Sequence, residues 1–198
     1  MPVQFCLALL ALSYLTAASD PGCEELLKPL EDRSQVSGRW IFHAGTSNNE
    51  KLLKALRTIN SSLIELASLP DSDDMTLRWG DRIGGICHAG GVNFTFSQNS
   101  TKVTLNFNAS DHEHVGKHLV SCPDCLVWTD TTVSHGEATT GKTLYIFTKT
   151  GKLDDSHLEV FKKQAACLNF PAEFHFGEST DICPFENEAA TDVKEGEQ

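Results

Sequence analysis

The sequence predicts an all-β fold, an antiparallel sandwich or barrel with one helix near its C-terminal end. Three observations lead there. Short runs of alternating apolar and polar residues recur at nearly regular spacing from Met75 to Lys149, separated by turn-forming residues and not by helices. That is the pattern of an antiparallel all-β domain. One late segment has sustained helical periodicity, with Leu158, Phe161, Ala165 and Leu168 on one face. The chain of 198 residues, 40% apolar and 22% charged, has room for one well-buried domain and not for two ordinary ones.

The elements follow in order. Phe5–Leu15 is an eleven-residue apolar run followed by Thr16-Ala17-Ala18-Ser19. This marks residues 1–19 as a secretory signal, with the folded domain expected over 20–183. Cys23–Val36 reads as a short helix or irregular lead-in. Gly38–Ala44 reads as the first strand, Asn49–Leu56 as a short helix and Ser62–Ala67 as a strand. After the turn at Pro70–Asp74, strands are expected at Met75–Trp79, around Ile86, and at Val92–Phe96, Val103–Asn108, Leu126–Thr129 and Thr143–Lys149. A helix follows over Asp154–Leu168, capped by Asp154 or Asp155. Residues 184–198 are acidic and nearly free of large apolar side chains, and are expected to form a disordered tail.

Export agrees with the cysteines. Of seven, Cys6 leaves with the signal, and six remain: Cys23, Cys87, Cys122, Cys125, Cys167 and Cys183. An even number in an oxidising compartment predicts disulfides and leaves many connectivities open. Four sequons, at Asn60, Asn93, Asn99 and Asn108, predict a glycoprotein. A net charge of −11 disfavours nucleic acid and anionic lipid as partners. No apolar run reaches the roughly 18–20 residues a membrane-spanning helix needs, so stable membrane insertion is not expected.

The sequons also orient the strands. A glycan does not fit inside a small barrel, so Asn93 and Asn108 must point outward. Alternation then turns Val92, Phe94 and Phe96, and Val103, Leu105 and Phe107, toward the interior. Met75, Leu77 and Trp79 form a third apolar row, and Asn99 falls in a turn. Leu144-Tyr145-Ile146-Phe147 is apolar on both faces, as in a strand covered on both sides. Tyr145 or Phe147 then adds a fourth inward row, and the late helix is placed to cover the outer one.

Reactive constellations are sparse. His112, His114 and His118, near Cys122 and Cys125, have the residue types of a zinc site. Exported cysteines are usually oxidised, however, and these histidines read as part of a solvated turn. No metal and no cofactor is therefore expected. Cys122-Pro123-Asp124-Cys125 lacks the βαβ context of a redox motif and reads as a local structural disulfide. Neither G-x-S-x-G nor H-E-x-x-H occurs, and the adjacent Ser134 and His135 do not make a triad. No nucleophile has a visible base, so the chain is not expected to be an enzyme.

Gly38-Arg39-Trp40 on the first strand, the order of signal, Cys23, strands, helix and Cys167, and the final Cys183 together resemble the lipocalins. Within them the chain is similar to the α1-acid glycoprotein and apolipoprotein M group. Ser121-Cys122-Pro123-Asp124-Cys125-Leu126 and Tyr145-Ile146-Phe147-Thr148-Lys149-Thr150 are similar to the fish plasma lipocalins that bind tributyltin, saxitoxin and tetrodotoxin. The resemblance implies an eight-stranded antiparallel up-and-down barrel with one C-terminal helix packed on its outside. It also implies Cys23–Cys167 and Cys87–Cys183 disulfides, which leave Cys122 to pair with Cys125. Trp40 would close the barrel floor, with Lys149 or Lys152 in place of the family's stacking Arg. The implied function is a secreted carrier of small hydrophobic xenobiotics, lipids or cationic toxins, lodged among the inward rows. The alternative is a secreted, glycosylated interaction protein whose barrel is filled.

Overall fold

The structure, a computed structural model, describes residues 22–185 except 98–99, 108–109 and 135–138. The expected signal, Asn99, Asn108 and residues 186–198 lie outside the described residues. Eight long strands run in chain order: β1 (Gly38–Ser47), β2 (Ile59–Ser68), β3 (Asp74–Ile83), β4 (Ile86–Thr95), β5 (Thr101–Phe107), β6 (Ser110–Leu119), β7 (Cys125–Ser134) and β8 (Thr139–Thr148). Each pairs antiparallel with its neighbour in the order β4-β3-β2-β1-β8-β7-β6-β5, an up-and-down barrel. A two-residue β9 (His175–Phe176) joins the edge of β1 at Ala44 and Gly45, beyond the point where β1 stops pairing with β2.

Among the described residues three α-helices, α1 (Cys23–Leu26), α2 (Glu50–Leu56) and α3 (Asp155–Cys167), and a 3-10 turn at Arg33–Gln35 complete the domain. Asn49 starts α2, its side-chain oxygen accepting from the Lys51 and Leu52 amides. Asp154 occupies the N-cap of α3 without a side-chain capping bond. The helix is instead held by burial. Phe161 and Ala165 pack with Ala44, Leu119, Val127, Leu144 and Ile146 on the outer face of β1, β6, β7 and β8. Gln164, also buried, donates to the Leu26 and Val120 carbonyls and so ties α3 to the lead-in.

A second core fills the inside: Val36, Trp40, Phe42, Leu66, Met75, Phe94, Val103, Leu126 and Phe147. Trp40 donates from Nε1 to the Val36 carbonyl at 2.7 Å, and Lys149 Nζ stands 5.1 Å from its ring centre. Lys149, not Lys152, therefore covers the indole. The disulfides are Cys23–Cys167, Cys87–Cys183 and Cys122–Cys125. The first joins α1 to the end of α3; the second joins β4 to the C-terminal segment. That segment runs on to Phe185, which is buried between Arg39 and Arg78. Packing thus continues two residues past Cys183, because the outward cross-strand row Arg39–Glu65–Arg78 offers two guanidinium faces to one ring.

Two expectations are corrected. The segments around Ile86 and at Val92–Phe96 are one continuous strand, β4: Gly90 and Gly91 interrupt its apolar pattern without breaking its pairing to β3. His112, His114 and His118 do not lie in a solvated turn; they belong to β6, paired on both sides by β5 and β7.

Candidate functional site

The barrel encloses a cavity of about 200 Å³. Its wall is mainly apolar and aromatic. Ile59, Ile64, Leu66 and Leu77 come from β2 and β3, Phe94, Val103 and Leu105 from β4 and β5, and Phe42, Leu126, Tyr145 and Phe147 from β1, β7 and β8. Alternation places them there. Tyr145 and Phe147 face the lumen while Leu144 and Ile146 face α3. Phe42 meets both Tyr145 and Phe147 edge-on, with ring centres 6.5 and 5.7 Å away.

The expected inward residues divide. Leu77, Phe94, Val103, Leu105, Tyr145 and Phe147 line the cavity. Met75 does not: it is fully buried and packed into the inner core with Trp40 and Val36. Trp79 does not either. Its ring lies over Gly90, where a Cβ would come within 2.2 Å of it, so the indole uses space that the missing side chain frees. Val92 packs against the inner core and lines a groove between β4 and β5 instead of the lumen. Phe96 stands behind the wall, stacked on His118 at 5.8 Å. The side chain of Phe107 lies outside the described residues. Asn60 and Asn93 are exposed.

Sequence reasoning missed the polar part of the wall. His114, His118, Trp128 and Asp130 line the cavity from β6 and β7, with Asp81 and Ser62 from β3 and β2. Asp130 is 4% exposed. Its Oδ2 accepts from Trp128 Nε1 at 3.0 Å and lies 2.7 Å from His114 Nδ1. Thr132 Oγ1 reaches Asp130 Oδ1 at 3.4 Å and His114 Nδ1 at 3.2 Å. Asp130 and Thr132 thus meet the same ring nitrogen. A nucleophile–base–acid relay needs the two opposite nitrogens, so this cluster is not a triad.

Across the lumen, burial raises the Asp81 carboxyl above its ordinary value, opposed by a hydrogen bond from Ser62 and by the charge of His88. Burial raises the Tyr145 phenol, and the charges of Asp130 and Asp81 push it further the same way. Tyr145 therefore senses both carboxylates. His118 is clamped between Phe96 and Trp128, whose ring centre is 4.6 Å away. Its Nδ1 is buried without a partner, and burial lowers its pKa to about 3, so the imidazole is neutral at physiological pH. Among the described residues no Lys or Arg lines the cavity.

One signal was available for β6. His112, His114 and His118 share one parity along the chain, and Leu119 falls on the opposite one. That is a strand with polar residues inward and apolar ones under α3, the reverse of the usual alternation.

No protein-family model matches the chain, and no curated protein matches its sequence. Solved structures do match its fold. The siderocalin Ex-FABP superposes with a TM-score of 0.60 at 14% identity, over 77% of this chain and 95% of that one. The odorant-binding protein OBP1 superposes at 0.62 and 15% identity, over 77% and 97%. A dog lipocalin allergen gives 0.60 at 18%, over 75% and 97%. The eight-stranded antiparallel barrel with its C-terminal helix is the lipocalin fold.

Proposed function

We propose that the protein is a secreted glycoprotein carrier that binds small, mainly hydrophobic molecules in the barrel lumen, and that it is not an enzyme. The observation that carries this is the unfilled, aromatic-lined cavity of about 200 Å³. A filled barrel, as a pure interaction protein would have, leaves no such space. The volume lies between the roughly 150 Å³ that accepts benzene and the roughly 300 Å³ at the lower end of drug-sized pockets. The ligand that fits without rearrangement is correspondingly small.

Its polar end is set by the wall. Asp130 and Asp81 face a lumen that no Lys or Arg lines among the described residues, which favours a ligand whose apolar body carries a cationic or hydrogen-bond-donating group. The net charge of −11 adds weak long-range attraction for cations. Three disulfides support an extracellular setting. The Gly38-Arg39-Trp40 motif and the Ser121–Leu126 and Tyr145–Thr150 segments support a reading of the chain as one of the α1-acid glycoprotein and apolipoprotein M group, near the toxin-binding fish lipocalins.

Native mass spectrometry of the protein purified from its own fluid tests the proposal. The expected result is a co-purifying small molecule that is released on denaturation. Mass equal to the bare glycoprotein, together with no binding of small aromatic amines followed by Trp128 fluorescence, overturns it.

A further inference from the structure

Among the described residues the barrel is not closed by hydrogen bonds. β4 pairs only with β3, and β5 only with β6, so the two strands meet at a seam without a ladder. Facing strand edges carry unpaired amides and carbonyls, and an open edge is a template for pairing with a second copy. A surface groove runs along this seam. Thr95, Ser97, Ser100 and Thr104 line it; Thr95 Oγ1 already donates to Asp74 Oδ1 at 2.6 Å, and Lys102 is paired with Glu113 at 2.6 Å. Among the described residues Val92 is the one apolar side chain in its wall. Such a lining suits a polyhydroxylated occupant and offers nothing to an apolar one.

Asn93 also lines the groove, is exposed, and begins the sequon Asn93-Phe94-Thr95. Thr76 Oγ1 donates to Asn93 Oδ1 at 2.9 Å from the neighbouring strand. The carboxamide is thereby held by its oxygen on the β3 side. Nδ2, the atom that bonds to an N-glycan, is left to the groove and solvent.

We infer that an N-glycan on Asn93 is the cover of the β4–β5 seam: its first sugars lie along the groove, replace the missing ladder partners and keep the edges from pairing with another copy. The inference rests on the chain being exported, as proposed above, but not on what the lumen binds.

The test uses the full chain secreted from a glycosylating animal cell. Glycopeptide mapping is expected to find Asn93 occupied. Asn93→Gln and Thr95→Ala remove the sequon, Thr95→Ser keeps it, and Asn60→Gln removes a distant one. The two sequon-deleting variants are expected to self-associate in sedimentation velocity while wild type, Thr95→Ser and Asn60→Gln stay monomeric. Amide exchange in β4 and β5 is expected to accelerate about tenfold, and exchange in β7 and β8 to stay unchanged. If the variants are not secreted, enzymatic removal of glycan from folded wild type gives the same two readings. An unmodified Asn93, or a glycan whose loss changes neither association nor exchange, overturns the inference. Binding of a small aromatic amine followed by Trp128 fluorescence is recorded in parallel. Its absence, together with a native mass equal to the bare glycoprotein, sinks the carrier reading and leaves the seam result standing.

Discussion

On one side of the barrel, β8 is covered twice. Tyr145 and Phe147 face the lumen, and Leu144 and Ile146 lie under α3 with Phe161 and Ala165. On the other side, β4 and β5 are covered once, by Phe94, Val103 and Leu105 facing inward, with exposed Asn93, Thr95, Lys102 and Thr104 outside and an open seam between them. The covered side holds the fold together and carries the polar cluster of β6 and β7. The open side supplies apolar wall and little else. Stability and ligand binding should therefore separate by side.

The largest effect is expected from Phe161→Ala. Its ring is fully buried against the outer face of the barrel, and its loss should cost about 3–5 kcal/mol in chemical denaturation. Binding by the fraction that remains folded should be unchanged, because the residue does not line the lumen. A weakened affinity in folded Phe161→Ala would break the separation.

Phe94→Ala probes the open side. This residue lines the cavity, so its loss should weaken binding of an apolar ligand by about 1.5–3 kcal/mol, roughly ten- to a hundredfold. Titration by Trp128 fluorescence measures this. Wild-type affinity in Phe94→Ala would remove the lumen from the account.

A pH series sharpens the comparison on the polar wall. His118 has its folded pKa lowered by burial from 6.5 to about 3. The unfolded chain therefore binds the extra proton first, and the stability present above pH 6.5 is lost as pH falls toward about 3. Between pH 7 and pH 5 wild type should lose about 2 kcal/mol through this residue. Asp81 acts in the opposite sense, since its raised pKa favours the folded state as pH falls through the window above 3.8. The difference between wild type and His118→Phe cancels that contribution. Parallel stability–pH curves for the two proteins would show that His118 is not the acid-sensitive group.

The smallest effect is expected from Lys163→Ala. Lys163 is exposed on α3, and its replacement should shift neither affinity nor stability beyond about 0.5 kcal/mol. A larger change in ligand titration would mean that the outer face of α3 communicates with the lumen.

What could be read in advance follows the same division. Leu144 to Phe147 announced a doubly covered strand because every position was apolar. The parity from Asn93 turned Phe94 inward because one known outward residue orients its neighbours. β6 stayed hidden because its inward positions are His114 and His118, which look like a loop when inward is assumed to mean apolar. β7 runs five residues past the expected end at Thr129 for the same reason, since Asp130 and Thr132 are polar and buried. Trp79 kept its expected parity and still left the lumen wall, because Gly90 opens a slot beside it on the next strand.

By itself the sequence determined the class of fold, the late helix with its buried face, and part of the apolar wall. These depend on periodicity, and periodicity is local. Only the tertiary structure decided where the buried charge sits, which lysine covers Trp40, and that β4 and β5 meet without a ladder. Asp130 is separated from Asp81 by 49 positions in the chain, yet both carboxylates bear on the Tyr145 phenol. Strand register alone brings them to one cavity, and register is a property of pairs of strands that no single segment encodes.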